Sequence, residues 1–208
     1  MLTDDEVRRL LVACRPTTPT GLRHHALIAL LYRTGLRIRE ALDLFPKDID
    51  LDAGVIRVLR GKCGYSRTVG IDPGARGRLL LRGEPRELRG RPNTCESGER
   101  RSVLSGETRA SAMPHAAPLF CTRAGGRLCE AYVRVLLKCL ARRAGIEKRV
   151  HAHGLRHTHA AQLRAEGVDI GIISRQLGHR SICTTARYLD HIAPLAVIEA
   201  IRGRVWRP

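Results

Sequence analysis

The sequence predicts an α+β fold, mainly helical with one small antiparallel sheet. Two observations carry that expectation: apolar residues recur at helical spacing through most of the chain, and a single pair of short runs, Gly54–Leu59 and Ser66–Ile71, flanks a turn-rich Gly61-Lys-Cys-Gly64. With 208 residues, 43% of them apolar and 27% charged, the chain can bury one real core and reads as one domain over 1–208.

Thr3-Asp4-Asp5-Glu6 has the form of a capping box, so a first helix starts there and carries Val7, Leu10, Leu11 and Cys14 on one face. After Pro16 and a Thr/Pro loop, Leu27, Leu30 and Leu31 mark a second helix that ends at Thr34-Gly35, where glycine supplies a left-handed cap. A third runs from about Arg39 and stops before Pro46. The two runs then pair as a β-hairpin with Lys62 at its turn. From about 83 to 118 the chain is rich in Gly, Pro, Ser, Arg and Glu without apolar periodicity, and reads as a flexible insertion. Leu119-Phe120-Cys121 reads as a short strand, Leu128 to Ala144 as a helix before Gly145, Leu155 to Glu166 as another, and Asp169 to Leu177 as a shorter one. A further helix passes through Thr184 to Leu189, and the tail from Pro194 to Ile201 is amphipathic, suited either to closing its own core or to docking on a neighbour.

Charge narrows the function classes. Lys and Arg number 37 against 20 Asp and Glu, a net charge of +17 that calls for a polyanion. The longest apolar run, Ala26 to Tyr32, is far short of the ~20 residues that span a bilayer, so no membrane is expected, and the acidic Met-Leu-Thr-Asp-Asp-Glu start argues against export. A cytoplasmic nucleic-acid protein is the expectation. The seven cysteines contain no C-x-x-C pair and are expected to be reduced and mostly buried. Aromatics are 3%, too few for base-stacking platforms, so phosphate contacts should dominate binding.

Three blocks carry candidate chemistry. In Thr34-Gly-Leu-Arg37-Ile-Arg-Glu40, Arg37 follows a helix-ending glycine and by itself reads as a surface arginine. Lys62 by itself reads as a solvated turn lysine. The third block, His151-Ala-His153-Gly-Leu-Arg156-His157-Thr-His159 followed by Leu177-Gly-His179 and by Tyr188, gathers polar groups near a helix N-terminus, where anions bind. His153 and His157 have the spacing of zinc ligands, but Arg156 lies between them and no H-E-x-x-H is formed, so no metal is assigned. His151 and His159 read as incidental.

Taken together, Arg37 in T-G-L-R-x-x-E, Lys62 in a G-K turn, His153 and Arg156 in H-x-L-R-H-T, His179 in L-G-H, and Tyr188 resemble the tyrosine recombinases of the phage integrase family, in order and in rough separation. The resemblance implies the tyrosine recombinase catalytic fold from Leu2 to about Trp206, without the N-terminal core-binding domain that usually precedes it. It implies a site-specific recombinase or integrase that breaks and rejoins duplex DNA: Tyr188 attacks the phosphorus to give a 3′-phosphotyrosine, Arg37, Arg156 and His179 hold the scissile phosphate, His153 accepts the phenol proton, Lys62 protonates the leaving 5′-oxygen and Glu40 braces the arginine as an accessory carboxylate. It implies double-stranded DNA as partner, a homotetramer on that DNA, no cofactor and no small-molecule substrate. A DNA-binding integrase remnant that no longer recombines, and a type IB topoisomerase, are the competing readings.

Overall fold

The computed structural model describes residues 1–59, 66–74, 77, 117–122, 125–179, 181, 183, 185 and 186. Lys62, Tyr188, the tail helix and the 83–116 part of the expected insertion lie outside the described residues, as does most of the expected 184–189 helix. Six α-helices and a three-stranded sheet make up the described elements.

Helix α1 (Asp4–Val12) starts at the expected capping box: Thr3 Oγ1 accepts from the Glu6 N–H at 3.2 Å and the Glu6 carboxylate accepts from the Thr3 N–H at 2.7 Å. Helix α2 (Pro19–Thr34) has Thr18 as its cap and Pro19 in its first turn, where a missing N–H does no harm. Its whole 26–32 run is buried, because α1, helix α3 (Ile38–Leu42) and helix α5 (Ala152–Ala165) pack around it. This central helix is apolar on every side for that reason. It ends at Gly35 with φ 64°, in the left-handed region that favours glycine.

After a 3₁₀ turn at Pro46–Asp48, strands β1 (Ile49–Asp50), β2 (Val55–Val58) and β3 (Arg67–Gly70) form an antiparallel sheet in the order β1-β2-β3. The hairpin strands are those the sequence predicts. β1, only two residues long, is below the length at which alternation can be read. In the β2–β3 ladder Ile56 faces Val69 and Val58 faces Arg67, so residues directly opposite share a face and the buried face carries Ile56, Val58, Val69 and one arginine.

Helix α4 (Glu130–Arg143) buries Val133, Leu137 and Leu140 against α1 and α3, and Gly145 follows it at φ 62°. Helix α6 (Ile170–Leu177), capped by Asp169, packs on α5 and on β3. The main core lies between α1, α2, α4 and the sheet, and a small second cluster of Ala160, Ile173 and Leu177 joins α5 to α6.

Three expectations need correction. Leu119-Phe120-Cys121 is not a strand: the Leu119 N–H donates to the Leu44 carbonyl at 2.7 Å, Phe120 is fully buried, and Cys121 forms one isolated bridge with Arg127. The segment is tied to the loop after α3 by that backbone bond. Helix α5 begins at Ala152, three residues before the expected Leu155, because His151 caps it, its Nδ1 accepting from the Gly154 N–H at 2.8 Å. The cysteines are not mostly buried: among the described residues Cys14 is buried and Cys121 half-buried, whereas Cys129, Cys139 and Cys183 are exposed. Cys129 caps α4 and Cys139 lies on its outer face, where a helical period places no core.

Candidate active site

Two helix C-termini and one helix N-terminus converge where α2, α5 and α6 meet. Arg156 sits in the second turn of α5 and is 2% exposed, one of the largest fully buried side chains. A buried charge needs compensation, and backbone carbonyls supply it here. Its Nη1 donates to the Gly35 carbonyl at 2.6 Å and its Nη2 to the Leu177 carbonyl at 2.6 Å. These are carbonyls at the ends of α2 and α6, where no helical N–H remains to bond them and the helix dipoles are negative. The guanidinium thus takes the place of a C-cap for two helices at once, and is fixed by backbone that both left-handed glycines, Gly35 and Gly178 (φ 68°), hold in place.

Arg37 approaches the same turn from α3. It precedes the first residue of that helix, and its side chain keeps 31% exposure. Nη1 donates to Glu40 Oε1 at 2.9 Å and Nη2 to the Gly178 carbonyl at 3.3 Å, the carbonyl next along the chain from the one that Arg156 holds. Glu40 is not a solvated helix residue: its side chain is 3% exposed, and its carboxylate also accepts from the Arg37 backbone N–H at 2.9 Å. Burial pushes the Glu40 carboxyl up, but the hydrogen bonds from Arg67 and from the Arg37 N–H and the nearby guanidinium charges outweigh it, holding the group at about 2.

Arg67 is the residue that sequence reasoning missed. Its Nη1 and Nη2 donate to the two Glu40 oxygens, each at 2.8 Å, in the forked geometry that suits a carboxylate. A signal for it existed: it lies two residues before Val69 on an alternating strand, so the pleat turns its charge inward. Gln176 was missed too. Its amide donates to the Gly70 and Thr34 carbonyls and accepts from the Gly70 N–H, joining α6 to β3 and to the end of α2.

His179 follows Gly178 directly. Its Nε2 lies 3.0 Å from Arg156 Nη2, and since a guanidinium only donates, Nε2 accepts; the ring proton is then on Nδ1, 2.8 Å from Thr185 Oγ1. Burial, then the charges of Arg156, Arg37 and Arg67, push His179 down to about 4. His153, in the first turn of α5, is lowered by burial and by Arg156, His151 and Arg37. Both shifts favour the neutral ring at physiological pH. His153 and His157 meet edge-on with centroids 4.5 Å apart. His159 is no surface histidine: it is 7% exposed and lies under Gly35, where an added Cβ would come within 2.8 Å of its ring.

The site thus brings together Arg37, Glu40, His153, Arg156 and His179 of the expected set. Lys62 and Tyr188 lie outside the described residues. The model of the phage integrase family matches residues 1–193. The chain belongs to the phage integrase family. It is 36% identical over 203 residues to the tyrosine recombinase XerD of Bifidobacterium longum, covering 96% of this chain and 60% of that one, and 35% identical over 209 residues to XerC of Xanthomonas campestris pv. campestris, covering 100% and 56%. This integrase-family chain therefore spans less than two thirds of the length of those relatives. Among solved structures, that of XerA recombinase superimposes with a TM-score of 0.71 at 28% identity, covering all of this chain and 65% of that one. The catalytic domain of bacteriophage HP1 integrase gives 0.58 at 22% identity, covering 98% and 94%, and supports the fold. No helix among the described residues is long and apolar enough to cross a membrane.

Proposed function

We propose that this integrase-family chain is the catalytic domain of a site-specific DNA recombinase, breaking and rejoining duplex DNA through a tyrosyl intermediate. One observation carries the reading: Arg156 and Arg37 donate to the consecutive carbonyls of Leu177 and Gly178, immediately before His179, so two permanent cations and an imidazole meet at one turn. That arrangement suits a tetrahedral anion. Solved relatives include XerH recombinase bound to its difH substrate, before and after cleavage, which supports duplex DNA as the substrate here.

The chemistry follows from the groups. A phosphodiester gains negative charge as a nucleophile adds, and Arg37 and Arg156 oppose that charge at the nonbridging oxygens. Arg156, fixed by two carbonyls, sets the position of the phosphate, while the more exposed Arg37 closes on it. Tyr188 is the nucleophile in this reading. Its oxygen bonds to phosphorus, its proton passes to neutral His153, and the bond from phosphorus to the 5′-oxygen breaks. Lys62 supplies the proton to that leaving oxygen. One phosphodiester is exchanged for another, so the tyrosyl bond keeps the free energy needed for rejoining, when a 5′-hydroxyl attacks and releases Tyr188. His179 donates to the phosphate once its Nε2 carries a proton.

The net charge of +17 supplies the wider duplex contact, with Arg142, Arg143, Lys148 and Arg149 among its members. A tetramer on DNA and action in the cytoplasm complete the proposal. The test is incubation of the chain with nicked suicide duplexes carrying candidate sites, followed by a denaturing gel. A shifted covalent adduct supports the reading, and no adduct on any duplex, with binding intact, overturns it.

A further inference from the structure

Glu40 is shared unequally. The Arg67 guanidinium takes both of its oxygens at 2.8 Å, whereas the Arg37 guanidinium takes one, at 2.9 Å, and leaves the other to its own backbone N–H, also at 2.9 Å. The Arg67 side chain is held in turn. It is 14% exposed, its strand packs on α6, and it passes so close over Gly178 that an added Cβ there would lie 2.7 Å from Arg67 Cδ and Nε. Arg67 therefore spans from the buried carboxylate to the turn whose carbonyl bonds Arg37.

The charges give this geometry a consequence. Arg37 and Arg67 with Glu40 sum to +1. Without Arg67 the sum is zero, and the Arg37 guanidinium is the one charged donor left among those that bond the buried carboxylate. The pair would then draw that guanidinium inward and neutralise it. With Arg67 in place, Glu40 is already satisfied, and Arg37 is braced by one oxygen while its charge remains directed at the site.

We propose that Arg67 is a positioning residue for phosphate binding: by holding both oxygens of Glu40, it keeps the Arg37 guanidinium available to a tetrahedral oxyanion. The proposal rests on the reading of this site as a phosphodiester site. It concerns a residue whose guanidinium bonds the Glu40 carboxylate and acts on Arg37 through it.

The experiment separates the two readings. Orthovanadate, a tetrahedral oxyanion, is titrated into the 208-residue chain and followed by the imidazole resonances of His179, while adduct formation on suicide duplexes is scored in parallel. Arg67→Met should weaken vanadate binding at least about tenfold, the effect of removing one net charge a few ångströms away. The double variant Arg67→Met/Glu40→Gln returns the sum to +1 and should bind within about threefold of wild type. A purely structural role predicts no such restoration. Because the double variant has no unpaired buried charge, it also serves if Arg67→Met alone does not fold. Wild-type affinity in Arg67→Met, a double variant that binds weakly, or no His179 response in wild type would each overturn the proposal. Vanadate behaviour as expected with no adduct from wild type would leave it standing and sink the recombinase reading.

Discussion

Glu40→Gln offers the most direct measure of how strongly the site is held by charge. The carboxyl titrates at about 2 in the folded chain against an ordinary 4.5, and its side chain is 3% exposed, so little solvent screening weakens the comparison. A depressed folded pKa contributes stability that is present above the unfolded value and is lost as pH falls through the folded one. The shift of about 2.5 units, at 1.36 kcal/mol each, is worth about 3 kcal/mol at pH 7. Roughly 2 kcal/mol of that is gone by pH 3. Glutamine has the shape of the protonated acid and does not titrate. Urea unfolding of wild type and Glu40→Gln, followed by far-ultraviolet circular dichroism, should therefore show a stability gap of about 3 kcal/mol at pH 7 that narrows to about 1 kcal/mol at pH 3. Subtracting the variant removes the contribution of every other group that titrates in that range. A gap that stays constant with pH, or one below about 1 kcal/mol at pH 7, would refute the claim that two guanidinium groups hold this carboxylate ionised.

Other outcomes follow from the same geometry. Tyr188→Phe should abolish covalent attachment to a suicide duplex while duplex affinity by gel shift stays within about twofold, since a phenol oxygen alone is lost; a surviving adduct would remove Tyr188 as nucleophile. Arg156→Lys keeps the charge but cannot reach both the Gly35 and Leu177 carbonyls, so single-turnover cleavage should fall by about a hundredfold or more and the melting temperature should drop; near-normal cleavage would exclude Arg156 from holding the phosphate. His179, held at about 4, should titrate at higher pH when an oxyanion arrives and favours the cation, measured by NMR with and without duplex. An unchanged value would show that no phosphate approaches its ring.

What the sequence made legible follows from what local pattern encodes. The start of α1 and the end of α2 were marked by a capping box and by Gly35, because each is settled within a few residues by hydrogen bonding or by φ. The start of α5 was not, because His151 fills a capping role usually taken by Ser, Thr, Asp or Asn. Among the site residues, Arg37, His153, Arg156 and His179 were found through motif order, and Glu40 through its place three residues after Arg37. Arg67 stands in no such motif, and its meaning depends on a partner 27 residues away.

The same distinction explains why the site forms at all. Helix α2 must end so that Arg37 can turn into α3, and α6 must end so that His179 can turn back toward α5; each ending leaves carbonyls without helical donors. Water would satisfy them at a surface, but here Arg156 does so from inside, its charge stabilised by two helix ends. A carboxylate in that place would neutralise the cation that a phosphate needs, whereas peptide dipoles hold it without cancelling its charge. The buried Glu40 carboxylate is matched by two arginines, so these three groups together stay positive. The turns that stop the helices therefore also supply the neutral acceptors that let a guanidinium be buried and still attract an anion.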